Sequence, residues 1–142
     1  MIEDIVIIGA SGLAKEVAFL IEDINKDKKH WNVLGFIDEN DKQVGLDINN
    51  KPIIGTDNWI LNQNRSVNVA FGTGSPHLIK KLSTEFMGNN LLKFPNLIHP
   101  NVIGDWNNIS FGVGNIICAG NIFTTSIHIG NFNYFNLSCT LG

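Results

Sequence analysis

The 142-residue sequence predicts an α/β chain in two parts: a small parallel sheet flanked by helices over residues 1–98, then the first coils of a parallel β-helix over 99–142. Three observations predict this. In the first part, short continuous apolar runs alternate with helical stripes, the pattern of strands buried on both faces and covered by helices. The helical period vanishes after Ile98. From there, large apolar residues recur every six positions, a spacing that fits neither a helix nor an ordinary hairpin.

Ile5-Val6-Ile7-Ile8 is the first strand, ended by Gly9. Leu13, Val17, Leu20, Ile21 and Ile24 then share one helical stripe, and Ser11 stands where a hydroxyl would cap its start. Val33–Ile37 reads as the second strand, stopping at Asp38-Glu39-Asn40, and the polar stretch from there to Lys51 reads as a loop. Pro52–Gly55 and the segment around Trp59-Ile60-Leu61 fit more than one element. Val67–Phe71 is a third strand, closed by Gly72-Thr73-Gly74. Pro76 opens a second helix bearing Leu78, Ile79, Leu82 and Phe86, with Gly88-Asn89 as its stop. A last strand falls within Leu91–Ile98.

In the second part Phe111, Ile117, Phe123, Ile129, Phe135 and Leu141 form the six-residue column. Ile109, Asn115, Asn121, Ile127, Asn133 and Cys139 form another, two residues earlier. Gly112, Gly120, Gly130 and Gly142 fall where turns are expected. Stacking such strands one coil apart would bury the apolar column as a continuous core. Ile103-Gly104 resembles a further start offset by two from the later register, which predicts a small bulge. The repeat breaks off within Cys139–Gly142 with no capping element, so the sequence reads as a fragment, or as a chain whose open edge another chain covers.

The net charge of −3 supplies no basic footprint for a phosphate backbone, which argues against a nucleic-acid partner. Two acids stand in the opening MIEDIVIIGA where a secretory signal would be positive, and no apolar run approaches the ~20 residues a bilayer span needs. Cys118 and Cys139 lack metal-ligand spacing, so no metal site is expected, and the expected compartment is the cytoplasm, with both thiols reduced. His30, His77, His99 and His128 read as surface or capping residues, and Lys80 and Lys81 as a solvated helix face. Cys118 has no evident base partner.

The chemistry concentrates at strand ends. Gly9-Ala10-Ser11-Gly12-Leu13 joins a buried strand to a helix N-terminus, where close backbone approach and free N–H groups favour a phosphate or pyrophosphate. Asp38 and Glu39 end the next strand on the same edge, where a carboxylate can accept hydrogen bonds from ribose or base, and Gly72 begins the third polar end. Together they point to a nucleotide site. A nicotinamide-dependent oxidoreductase is a weak competitor, because the motif is G-x-S-G-x-A and no second nucleotide-binding half follows.

IIGASGLAKEVA, GFIDEN, IIGTD, VAFGTG followed by a Lys-Lys helix, FPNLIHPNV and the hexads through NLSCTLG together resemble the sugar O-/N-acyltransferases typified by the bacillosamine-pathway and sialic-acid acetyltransferases. The resemblance covers the whole chain. It implies a Rossmann-like nucleotide-sugar-binding domain over 1–98, a partial left-handed β-helix of hexapeptide repeats over 99–142, and a homotrimer. It further implies acetyl transfer from acetyl-CoA, as co-substrate, to an amino or hydroxyl group of a nucleotide-linked sugar, UDP-linked being favoured. The general base of the family is a histidine that would directly follow Gly142, so no catalytic residue is expected within these 142 residues, which would be inactive alone. Ser11-Gly12-Leu13 matches the turn that contacts phosphate and sugar, Asp38-Glu39 an acidic pair on the nucleoside, and Gly72 a glycine beside it. Where some members have histidine after Ser-Gly, this chain has Leu13. The alternative is a non-catalytic nucleotide-binding and trimerisation module.

Overall fold

The computed structural model describes all of residues 1–142. The first part contains β1 (Glu3–Ile8), α1 (Gly12–Asp27), β2 (Trp31–Ile37), β3 (Asp47–Ile48), β4 (Lys51–Gly55), α2 (Asp57–Leu61), β5 (Val67–Phe71), α3 (Pro76–Phe86) and β6 (Leu92–Lys93). Its six strands make one sheet in the order β3-β4-β2-β1-β5-β6. All pairings are parallel except the β3–β4 hairpin.

The apolar run of β1 is divided between two cores. Ile5 and Ile7 pack with Ala14, Val17, Leu20 and Ile21 of α1, whereas Val6 and Ile8 pack with Ile60 of α2 and Leu82 and Phe86 of α3. Alternation along a strand is the cause, since successive side chains leave opposite faces of the sheet. α1 thus covers one face and α2 with α3 the other. β1 lies between β2, reached through α1, and β5, which leads into α3, so the winding reverses at the centre of the sheet. A crevice at the carboxyl ends of the strands follows from that reversal.

Several local expectations are corrected. The buried stripe of α1 is Ala14, Val17, Ala18, Leu20 and Ile21, with Leu13 and Ile24 half-buried. Ser11 precedes α1 but its side chain makes no capping hydrogen bond; at α3 Ser75 Oγ does accept the Leu78 N–H, at 3.2 Å. Residues 40–50 are not a plain loop. They form a short 3₁₀ turn at Asp41–Gln43 and then β3, whose turn into β4 places Asn49 and Asn50 at φ 48° and 68°. Asparagine tolerates that left-handed region better than most residues.

The stacked strands begin two residues before the expected boundary at 98/99: β7 (Leu97–Ile98) pairs with them and not with the sheet, and β8 (Ile109–Phe111), β9 (Ile116–Ile117), β10 (Ile122–Phe123), β11 (Ile127–Ile129), β12 (Tyr134–Phe135) and β13 (Thr140–Leu141) follow in the second part. These form three parallel stacks, β7-β9-β12, β8-β11 and β10-β13, the last extended by a bridge from Ile103 to Ile122. Ile109 pairs with Ile127 and Ile116 with Tyr134, each eighteen residues on, but Leu97 pairs with Ile116 and Ile103 with Ile122, nineteen on. The irregularity near Ile103 is therefore one extra residue, not an offset of two. It is taken up between Gly104 and Ile109, where a 3₁₀ turn (Trp106–Asn108) forms and Asp105 Oδ2 accepts the Asn108 amide at 2.8 Å and the Thr125 hydroxyl at 2.7 Å.

Ile117, Phe123 and Ile129 lie at the centre of the stacks, with Val102 and Ile109, and Phe123 meets Phe135 edge-on at 5.1 Å. Asn115 is wholly buried at a corner: its Nδ2 donates to Asn96 Oδ1 (3.0 Å) and the Gly130 carbonyl (2.8 Å), and its Oδ1 accepts the Asn133 backbone N–H at 2.9 Å. The two parts meet through Phe132, packed edge-on against Phe71 and Phe94, and through His99 and Tyr134, which reach α1. No helix is long and apolar enough to cross a membrane.

Candidate functional site

The strand ends are tied together before any ligand is considered. The Gly9 N–H donates to the Ile37 carbonyl (2.8 Å), the Gly72 N–H to Ile8 (2.7 Å) and the Asp38 N–H to Gly55 (3.1 Å), so the chain leaves β1, β2, β4 and β5 at one level. Gly9 has φ +110°, and a Cβ there would stand 2.5 Å from the Gly72 carbonyl oxygen; a Cβ on Gly72 would stand 2.7 Å from Ala14 Cα. Glycine at both positions lets the β1–α1 turn sit directly on the end of β5.

Over this edge opens a cleft of about 550 Å³. Gly9, Ala10 and Ser11 form its floor beside the start of α1, Asp38 and Glu39 stand at the end of β2, and Thr73 follows β5. Asp57 enters from α2, and Leu78, Lys81 and Leu82 from α3. One Asp38 oxygen accepts the Asn40 N–H at 3.0 Å, which fixes the carboxylate and leaves its other oxygen open. Of the residues singled out in the sequence, Gly9, Ser11, Asp38 and Glu39 therefore converge on the cleft. Gly72 lies beneath the turn, Leu13 turns toward Gly74, and a Cβ on Gly12 would meet no atom within 4 Å.

Two further lining residues depart from the sequence reading: Lys81, expected on a solvated helix face, borders the cleft, and so does Asp57, which had no expected role. Asp57 follows a strand obscured by Pro52 and Gly55 at its two ends, and Lys81 looks like one of a solvated pair until the fold is known. A signal existed: Lys81 lies between Leu78 and Leu82, at the border of the apolar stripe of α3.

A second, smaller cavity of about 140 Å³ lies between α1 and the stacked strands, lined by Glu16, Phe19, His99, Cys118, Tyr134 and Leu137 among others. The Cys118 thiol donates to Tyr134 Oη (3.4 Å), and the Tyr134 hydroxyl donates to Glu16 Oε2 (3.2 Å). Burial pushes both the Cys118 thiol and the Tyr134 phenol above their usual pKa, so both are protonated at neutral pH. Cys118 is a packed thiol in a hydrogen-bonded chain, not an activated nucleophile. None of the four histidines lines the main cleft: His99 Nε2 bonds Asp23 at 3.0 Å, His128 Nδ1 bonds Ser110 at 2.7 Å, His30 Nε2 bonds Glu3 at 3.1 Å, and His77 is exposed at the start of α3. No three His, Cys, Asp or Glu side chains stand close enough to hold a metal ion.

Comparison with solved structures shows the same fold in three bacterial proteins. The acetyltransferase domain of PglB from Neisseria gonorrhoeae, solved with acetyl coenzyme A, superposes with a TM-score of 0.81 at 19% identity, over 99% of this chain and 65% of that one. PerB from Caulobacter crescentus, solved with CoA and GDP-perosamine, gives 0.80 at 22%, over 99% and 63%. WeeI from Acinetobacter baumannii gives 0.75 at 23%, over 97% and 63%. The chain thus spans a little under two thirds of the length of each. No curated protein sequence matches it. Residues 4–86, which carry the whole cleft, match the PglD N-terminal domain. The chain belongs to the PglD N-terminal domain family.

Proposed function

We propose that the cleft binds a nucleotide-activated sugar, and that the chain is the N-terminal portion of an enzyme that moves acetyl from acetyl-CoA to an amino or hydroxyl group of that sugar. The observation that carries the reading is the convergence, where the sheet reverses its winding, of the Gly9–Ser11 turn with the Asp38–Glu39 pair. A phosphate over the turn would face the free N–H groups at the start of α1. The open oxygen of Asp38 and the Glu39 carboxylate would accept from ribose hydroxyls or base N–H groups. Gly12, with empty space where a side chain would go, leaves room for the sugar beside the first turn, and Leu13 gives that sugar an apolar neighbour. Gly72 acts indirectly, by seating the turn.

The same reading divides the chain into a Rossmann-like domain (1–98) and the first coils of a left-handed β-helix (99–142). The eighteen-residue parallel stacking supports the second assignment, and the pairing of β7 with β9 carries the stack back to Leu97. It includes side-by-side packing of three such β-helices, a cytoplasmic location, UDP as the favoured nucleotide, and acetyl-CoA as donor, the last supported by the coenzymes held by PglB and PerB. These 142 residues alone would bind nucleotide without transferring acetyl, since every histidine stands off the cleft wall.

Calorimetric titration of the purified chain with UDP- and GDP-linked sugars tests this. Binding of one of them, weakened at least about tenfold by Asp38→Ala, is expected; loss of one charge-assisted hydrogen bond has that size. Failure of every nucleotide to bind would overturn it.

A further inference from the structure

We propose that Lys81 is the residue that makes the cleft selective for a diphosphate-bearing nucleotide, by pairing with the diphosphate from the α3 side. The inference rests on the nucleotide reading above. Three carboxylates, Asp38, Glu39 and Asp57, line the cleft, and Lys81 is the one basic side chain among its twelve lining residues. A nucleoside diphosphate carries about two to three negative charges at neutral pH, and three carboxylates facing it in a concave site would repel it. The N–H groups at the start of α1 offset part of that repulsion, and Lys81 supplies the one full positive charge that a lining side chain brings to the cleft. Its ammonium makes no ion pair within the chain, whose four bridges involve Lys26, His30, Arg65 and His99. The charge is therefore uncommitted.

Position supports the same role. α1 and α3 cover opposite faces of the sheet, so the start of α1 and the Lys81 side chain approach the carboxyl edge from opposite sides. A diphosphate on the Gly9–Ser11 turn would lie between backbone N–H donors on one side and an ammonium on the other. The carboxylates of β2 and α2 would remain for ribose and base, whose N–H and O–H groups are donors. Leu78 and Leu82 flank Lys81 on α3 and pack into the sheet, which holds the base of the side chain while leaving the ammonium in solvent.

The test uses the whole chain and titrates UDP, GDP, uridine and guanosine into wild type, Lys81→Gln and Lys81→Arg at two salt concentrations. Lys81 is exposed and has no partner to lose, so both variants should melt with the wild type. The expected result is about tenfold weaker binding of the diphosphate to Lys81→Gln, nucleoside binding unchanged, a flatter salt dependence, and near-wild-type affinity in Lys81→Arg. Diphosphate affinity within twofold of wild type in Lys81→Gln, while wild type binds, would overturn the role of Lys81 alone. Binding of neither UDP nor GDP by wild type would overturn the nucleotide reading and this inference with it.

Discussion

His99, at the head of the stacked strands, donates from Nε2 to the Asp23 carboxylate of α1 at 3.0 Å, across 76 residues of sequence. The Asn101 N–H donates to the other ring nitrogen, Nδ1, at 3.1 Å, which leaves Nε2 as the protonated position of the neutral ring. The pair is a polar clasp between the two parts of the chain. Lys26 lies 2.7 Å from the other Asp23 oxygen.

The clasp predicts a pH dependence of known sign. The hydrogen bond from Lys26, and after it that from His99, hold the Asp23 carboxyl below its ordinary value. A carboxyl with a depressed pKa in the folded state adds stability that is present above its unfolded pKa, about 3.9, and is lost as the pH falls through the folded value. Asp23→Asn should therefore melt below wild type at pH 6, with the gap closing toward pH 3. Thermal melts across that range check it, and a gap independent of pH would count against the clasp.

The glycines of the turn should separate stability from binding. Gly9→Ala places a Cβ against the Gly72 carbonyl at a φ of +110°, and should cost about 1–3 kcal/mol. Gly12→Ala meets nothing, and should change stability by less than about 1 kcal/mol. If the sugar lies where proposed, Gly12→Val should keep the melting temperature and lose nucleotide-sugar affinity. Paired melts and titrations decide this, and an unaltered affinity in Gly12→Val would move the sugar elsewhere.

Asn115 should be among the most sensitive positions of the second part. Its replacement by Ala removes the acceptor of the Asn133 N–H and a donor to Gly130, at a cost of about 1–3 kcal/mol for each buried group left unpaired. Leu, similar in size but without polar atoms, should rescue little, because those backbone groups still lack partners. Urea unfolding of both variants measures it; a Leu variant as stable as wild type would refute the account.

Phe132 joins the parts by packing rather than polarity. Its ring lies 5.3 Å from Phe71 and 5.5 Å from Phe94, edge-on to both. Phe132 is half-buried, so Phe132→Ala should lose about 1–3 kcal/mol, less than a core phenylalanine, if the two parts unfold together. Hydrogen exchange would then rise in β5 and in the strands after Leu97 alike. Exchange confined to the second part would mean the two halves unfold independently.

Much of the sheet and of the cleft was legible before the fold was known. β5 and the start of α3 match their expected limits because their signals are local: an apolar run stopped by glycine, and a Ser-Pro start. β4 was ambiguous because Pro52 and Gly55 are the residues that usually end strands, and its place beside β2 is fixed by a pairing no local signal encodes. The Asn115 corner was visible only as asparagines at 115, 121 and 133 in an otherwise apolar column. Their role emerges once residues eighteen or nineteen apart become neighbours. Gly9, Ser11, Asp38 and Glu39 could be gathered because each ends or follows a strand at one edge. Lys81 and Asp57 could not, because their approach to that edge depends on which face their helices cover.

The extra residue held between Gly104 and Ile109 has a consequence for chain length. Within the paired strands of the second part, an insertion or deletion would shift each later side chain of the stack out of vertical alignment with the one beneath it. Growth or loss would be tolerated there only in complete circuits. At the 105–108 corner one supernumerary residue is already absorbed without disturbing the pairs above or below. That corner is where a graft, a tag or a natural length variant would be accommodated at least cost.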